Sequence, residues 1–251
     1  MAAIAAVLYR EGKIRFTNLI WMFFDLFYPL LYFLLFGVMM NYTFGSPLAN
    51  LGVDYTSFFL AGVLGMASFG IATNTAWGFF VDRDNGIFYE MLTYPLSRAQ
   101  FLVGKVLFNV LLAIIQATLT VSLGMVLLHV PVQLHRLPLL LAGVVGGTAG
   151  WFFFFAIFAL KIRRNDLFNT VVNLFYFVLL FGSSMFYPLE PLPAWFRTLA
   201  RLNPLTWHVD VLRFCSIGLG DPMQIVVEAI VFVVFSLAAF AYAVRCLQEQ
   251  G

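Results

Sequence analysis

Few residues in this chain have the types and spacing that bond-making chemistry requires. There is no GxxxxGK[ST] loop to cradle phosphates, no HExxH pair and no GxSxG nucleophile elbow. His129, His135 and His208 are scattered rather than set at metal-ligand spacing. Cys215 and Cys246 are expected on opposite sides of a membrane, where they cannot pair within one chain. No basic run interleaved with aromatics suggests nucleic acid. Catalysis, metal binding and cofactor binding are therefore not expected within this chain. What remains is the chemistry of gripping, packing and passage.

Two stretches concentrate it. The first is Asp82–Arg98, DRDNGIFYEMLTYPLSR, the longest run of mixed polar character. Ile87, Phe88, Met91 and Leu92 repeat at helical spacing, which predicts a short amphipathic helix from Asn85 to Leu92. Pro95 should stop it, because proline disfavours helical geometry in the residue before it. Such a helix is a handle that something outside the membrane can grip. The second is Ser183–Asp221, where Ala194–Leu202 and Leu205–Ile217 each read as a short helix, split by Asn203 and Pro204. Pro188, Pro191 and Pro193 stiffen its entry. The expected form is a re-entrant hairpin over 188–220, packed against protein where nonhelical backbone is tolerated. Arg201, Asp210 and Arg213 could pair there or stay solvated, with Glu228 as a candidate partner.

The elements that must position these stretches follow from composition. The 251 residues are 62% hydrophobic and 10% charged, with mean hydropathy +0.93 and 30 Phe. Soluble domains average about 25% charged residues, so an all-α polytopic membrane fold is predicted. Six segments supply the roughly 20 apolar residues of a span: about 19–40, 57–80, 101–128, 138–160, 167–187 and 223–244. The first is expected to act as an uncleaved anchor, since it is too long for a signal and lacks a cleavage site. Residues 2–16 read as an interfacial amphipathic helix or as a basic flank of that span. An even span count places both termini on one side. Ten of the 14 Lys and Arg residues fall on that side, with Arg136, Arg197, Arg201 and Arg213 on the other. The positive-inside rule then puts the termini and the handle in the cytoplasm, which predicts a multi-pass protein of the cytoplasmic membrane.

Within the spans, Asp25 is either a polar lining group or half of a structural pair, because a buried carboxylate wants a partner. Asn173, Phe177 and Phe181 share one predicted helix and could line a greasy path or simply pack. Gly143, Gly146, Gly147 and Gly150 form two overlapping GxxxG pairs that mark close helix contact.

At the two stretches above the sequence resembles the membrane subunit of type-2 ABC exporters, the permease family that includes daunorubicin-resistance, nodulation-factor and surface-polysaccharide exporters. Arg83-Asp84-Asn85-Gly86, Glu90-Met91-Leu92, Pro95-Leu96-Ser97-Arg98 and Gly104-Lys105 resemble its cytoplasmic coupling helix, here 84–97. Phe186-Tyr187-Pro188-Leu189, Leu192-Pro193 and Leu202-Asn203-Pro204-Leu205-Thr206 with Asp210 and Arg213 resemble its outer re-entrant signature. Trp207 stands where many relatives have Tyr. The resemblance implies a complex of two permease chains, identical or homologous, with two ATPase subunits that hold ATP and magnesium. Those subunits would press on Ile87, Phe88 and Met91, with Arg83, Glu90 and Arg98 on the rim. The Phe-rich spans and the lack of a charged central path favour an amphiphilic cargo, a drug, a lipid or a lipid-linked glycan, over a small ion; the matched motifs do not separate these classes. The competing readings are a stand-alone secondary transporter or channel, against which no internal repeat is seen, and an intramembrane enzyme, which would need paired groups at a shared depth.

Overall fold

The computed structural model describes residues 2–43 and 52–249, so residues 44–51 of the loop expected at 41–56 lie outside the described residues. Among the described residues every regular element is helical. Helix α1 (Ala2–Thr17) precedes α2 (Leu19–Tyr32), which continues through a π-helical turn, Phe33–Gly37, into α3 (Val38–Thr43). Then come α4 (Tyr55–Asp84), α5 (Ile87–Met91), α6 (Arg98–Leu127), a 3-10 turn at Leu134–Arg136, and α7 (Leu137–Lys161). The chain closes with α8 (Asn165–Phe181), α9 (Ala194–Leu202), α10 (Pro204–Ile217) and α11 (Pro222–Gln248).

Local chemistry sets these limits. Asp54 and Asp221 cap α4 and α11 by accepting from the Ser57 and Gln224 amides. Ser97 and Gln100 form a reciprocal capping box at the start of α6. Proline in the first turn opens α7, α10 and α11, where its missing N–H costs nothing.

Among the described residues five stretches are long and apolar enough to cross a membrane: Met22–Tyr42, Tyr55–Asp84, Arg98–Leu127, Leu134–Lys161 and Pro222–Gln248. The sixth expected span, 167–187, is the shorter α8, whose 17 residues rise about 25 Å. It stops at Phe181 because the following backbone finds better partners outside the helix. Ser183 Oγ turns back to the Leu180 carbonyl, and the Ser184 amide donates to Thr206 Oγ1 of α10. Met185 and Phe186 keep the sequence apolar through this break. Met185 is fully buried in protein, and Phe186 packs against the core.

Helix α4 is the axle of the bundle. It packs against α2, α6, α7 and α10, and 89% of its apolar window is buried, against 17% for α11. Small residues permit that closeness, the main route to helix packing where lipid supplies no hydrophobic drive. A Cβ on Gly62 would meet the Met185 carbonyl oxygen, and one on Gly65 would meet Val209 of α10. Gly62→Ala should therefore cost about 1–3 kcal/mol, as overpacking against backbone does. Gly146→Ala, which meets nothing within 4 Å, should cost nothing comparable. Thermal unfolding of the two variants in detergent checks the contrast.

The bundle has two distinct ends. At one, where α1 packs and α11 stops, Arg98 donates to the Leu247 and Gln248 carbonyls at 2.7 and 2.9 Å, tying the start of α6 to the end of α11. At the opposite end the Tyr55 hydroxyl donates to the Phe186 carbonyl at 2.8 Å, and the Gln133 amide to the Ser216 carbonyl at 2.7 Å.

Candidate functional site: handle, groove and hairpin

The handle lies at the end where α1 packs and α11 stops. Helix α4 runs through Asp84 before the chain turns at Asn85 and Gly86. Gly86 takes φ +76°, a left-handed conformation that side-chain-bearing residues adopt at a cost. The helix after it is a single turn, Ile87–Met91, shorter than the predicted Asn85–Leu92, and 92–97 is turn and extended chain. One turn has no stability of its own, so tertiary contacts must hold it. Phe88 is fully buried, edge-on to Phe79 of α4 at 5.8 Å and to Phe101 of α6 at 5.2 Å.

This corrects the expected presentation of the handle. Phe88 does not face outward; it is the rivet that fixes α5 to α4 and α6. Arg83 is not on the rim either. Its guanidinium is buried and donates to the carbonyls of Ala159, Leu160 and Ile162 at the end of α7, where a cation also complements the helix dipole. Arg98 is likewise occupied by α11. Ile87, Met91 and Leu92 are half-buried, and the open face carries Asn85, Tyr89, Glu90, Tyr94 and Pro95.

Beside the handle sits a charge network that local sequence patterns did not reveal. Lys105, 2% exposed, reaches Glu11 at 2.8 Å and Asp82 at 2.7 Å. Arg10 closes the ring on Asp82 at 2.6 Å and Glu11 at 3.0 Å. Burial works against the Arg10 charge, but the bond and charge of Asp82 outweigh it and hold the guanidinium above its ordinary range. Helix α1 therefore buries Val7, Glu11 and Gly12 against α6 and leaves Leu8, Ile14 and Phe16 exposed.

Deeper, α2, α4 and α8 enclose a groove. Asp25 accepts from Arg15 at 2.5 Å and from Asn74 at 2.7 Å, so it is half of an ion pair and a groove wall at once. A cavity of about 330 Å³ is lined by Asp25, Asn173 and Phe177, with Tyr28 and Tyr176. A second, of about 530 Å³, lies toward the charge network, and the two share Thr73, Asn74 and Asn173. Phe181 does not line either cavity; it stacks between Phe177 and Phe186.

At the opposite end α9 and α10 form a hairpin that turns at Asn203 and Pro204. Asn203 accepts from the Leu205 amide and donates to the Leu179 carbonyl at 2.7 Å, fixing the turn at the level where α8 ends. Arg213 is buried and joins three elements. It bonds Asp210, donates to the Ser184 carbonyl at 2.8 Å, and lies 3.9 Å from the centroid of the Phe58 ring. Asp210 also accepts from Ser184 Oγ at 2.7 Å. Thr206 is buried, Pro193 is exposed at the start of α9, and Pro188 lines a cavity of about 260 Å³ with Asp210, Arg213 and Glu228. Glu228 does not pair with Arg213; its Oε1 accepts from Gln224 at 2.7 Å. His208 had no role in the sequence. It is buried, stacked on Phe232, accepts from Trp151 at Nδ1, and so donates from Nε2 to the Gly143 carbonyl. Its ring fills the notch left by Gly147, while Gly143 faces Leu212 and Gly150 faces Ser236. Those glycines serve contacts within the chain.

A profile of the ABC-2 type transporter family matches residues 2–215, which takes in the handle, the groove and the hairpin. The chain belongs to the ABC-2 type transporter family. Relatives bear the same stamp. A Cyanophora paradoxa protein named as a transport permease, ycf38, is 29% identical over 196 residues, covering 74% of this chain and 64% of its own length. The daunorubicin resistance ABC transporter permease protein DrrB1 of Streptomyces coeruleorubidus is 27% identical over 184 residues, 72% of this chain and 64% of its own. YbhR of Escherichia coli K12, named as a multidrug ABC transporter permease, is 23% identical over 176 residues, 65% and 45%. The matched region thus spans just under two thirds of the length of the first relatives. In ABC-2 terms, this is a helical membrane protein whose family members are transport permeases.

Proposed function

We propose that this chain is the transmembrane permease subunit of an ATP-binding cassette exporter. It moves an amphiphilic substrate (drug, lipid or lipid-linked glycan) outward across the cytoplasmic membrane. It carries no catalytic residues for hydrolysis; two separate ATPase subunits bind ATP and magnesium, and a second permease chain completes the path. The termini and the handle face the cytoplasm, in keeping with the ten cations assigned to that side from the sequence.

The observation that carries the reading is the attachment of the handle. A partner gripping Tyr89, Glu90 and Tyr94 cannot move α5 alone. Phe88 passes the displacement to α4 and α6, Arg83 to α7, and Arg98 to α11. Interdigitated helices respond as rigid bodies, because close-packed interfaces switch between arrangements instead of bending smoothly. ATP then acts through its different affinities for the open and closed ATPase pair. The groove walled by Asp25, Asn173 and Phe177 is the substrate path in this scheme.

The test is co-purification from native membranes followed by reconstitution. An ATPase subunit should accompany the chain, and flux of an amphiphilic dye should require ATP. ATP-independent flux from the lone chain would sink the proposal. Glu90→Ala provides the sharper measurement. Because Glu90 is exposed, the fold should stand, while transport falls about fivefold or more, the low end of typical coupling between sites. Phe88→Ala should also lower transport, but with loosening of α5, visible as faster hydrogen exchange over 87–92.

A further inference from the structure

The groove has a chemical bias that narrows the class of cargo. Its inner cavity is bordered by the charge network, yet that network is already balanced. Glu11, Asp25 and Asp82 are matched by Arg10, Arg15 and Lys105, each within ion-pair distance of an opposite charge. A charged head entering here would have to draw one of these cations or carboxylates from its partner, leaving the other uncompensated in a poorly solvated place.

The hydrogen-bonding capacity left open is of another kind. Asn173 is exposed to the groove in the middle of an apolar helix and makes no side-chain hydrogen bond among the described residues. Asn74 gives one amide hydrogen to Asp25, and its Oδ1 accepts nothing among the described residues. These two carboxamides stand where the cavities meet. Each offers both donor and acceptor atoms, the pattern that a hydroxyl, itself donor and acceptor, satisfies best. Beyond them the smaller cavity turns aromatic, with Tyr176 and Phe177.

We propose that the groove selects an amphiphile with an uncharged, hydroxyl-rich head, such as a sugar, held by Asn74 and Asn173, with its apolar part along Tyr176 and Phe177. This rests on the permease reading above and adds the substrate class to it. An anionic head of the phosphate type is disfavoured because every cation in reach is engaged.

Trp77 lines the larger cavity and supplies a reporter. The full chain in nanodiscs is titrated with an alkyl glucoside brominated on the tail carbons next to the head, where bound ligand lies nearest Trp77 and quenches it, and separately with the alkyl phosphate bearing the same tail. The Trp77→Phe variant, which keeps the other four tryptophans, measures the background to be subtracted. Saturable quenching should be tighter for the glucoside than for the phosphate by about tenfold, the weight of roughly one net hydrogen bond. Asn173→Leu should erase most of that preference, and Asn173→Gln should keep part of it. Equal or tighter binding of the phosphate, an undiminished preference in Asn173→Leu, or the lack of saturable quenching by either probe would each overturn the proposal. Binding here needs neither ATP nor an ATPase. A failure therefore leaves the permease reading standing, and a failure of co-purification leaves this result standing.

Discussion

Replacing Arg213 by Met is expected to detach the hairpin from the bundle at a cost of about 3–5 kcal/mol, the range for removing one partner of a buried ion pair. The loss is larger than one bond because Arg213 is shared. It pairs with Asp210 inside α10, holds the carbonyl of Ser184 in the break after α8, and covers the Phe58 ring at the start of α4. Without it Asp210 keeps its bond to Ser184 Oγ but loses its countercharge. The double change Arg213→Met with Asp210→Leu should recover much of the stability, since a well-packed apolar pair is often as stable as the ion pair it replaces. Thermal unfolding in detergent measures both. Hydrogen exchange over 183–189 and 204–217 reports whether the hairpin is what lets go. A single variant as stable as the parent would show that Arg213 does not clamp the hairpin.

The second large effect lies at the other end. Lys105→Ala should also cost about 3–5 kcal/mol, for it leaves Glu11 and Asp82 facing each other with only Arg10 between them. The consequence should be local. Helix α1 is held by this ring, by Val7 seated on Gly104 and by Arg15 donating to Asn109 of α6 and Asp25 of α2, so α1 should loosen around Glu11 while α4 and α7 stay packed. Limited proteolysis at Lys13 and Arg15 would read the release, and Glu11→Gln with Lys105→Met should suppress it. Protection of those sites in Lys105→Ala would mean that the ring is incidental to holding α1.

The long helices were legible because an apolar run of this length follows a simple rule. A run of apolar residues near membrane length admits little but a helix, and the stretches predicted at 57–80, 101–128, 138–160 and 223–244 lie within α4, α6, α7 and α11 apart from a residue at one edge. The hairpin helices were legible from their prolines and from Asn203, a capping residue set before Pro204. The end of α8 was not, because burial in protein demands the same apolar residues as burial in lipid. The facing of the handle was misread for a related reason. Amphipathic spacing says that Phe88 belongs against something greasy, without saying whether that is a partner's groove or the chain's own Phe79 and Phe101. The ring of Arg10, Glu11, Asp82 and Lys105 had no local signal at all, since its members come from three helices. The notch of Gly147 for the His208 ring joins two such distant segments, and neither residue alone advertises it.

Helix α8 forms one wall of the groove and ends at Phe181, about 25 Å from where it began. A hydrophobic stretch shorter than the surrounding hydrocarbon draws the two leaflets toward each other. If α8 crosses the bilayer as the proposed permease requires, the hydrocarbon beside this wall would have to thin to match it. In the proposed permease such thinning would lower part of the barrier to moving a polar head across, through the lipid rather than through the protein.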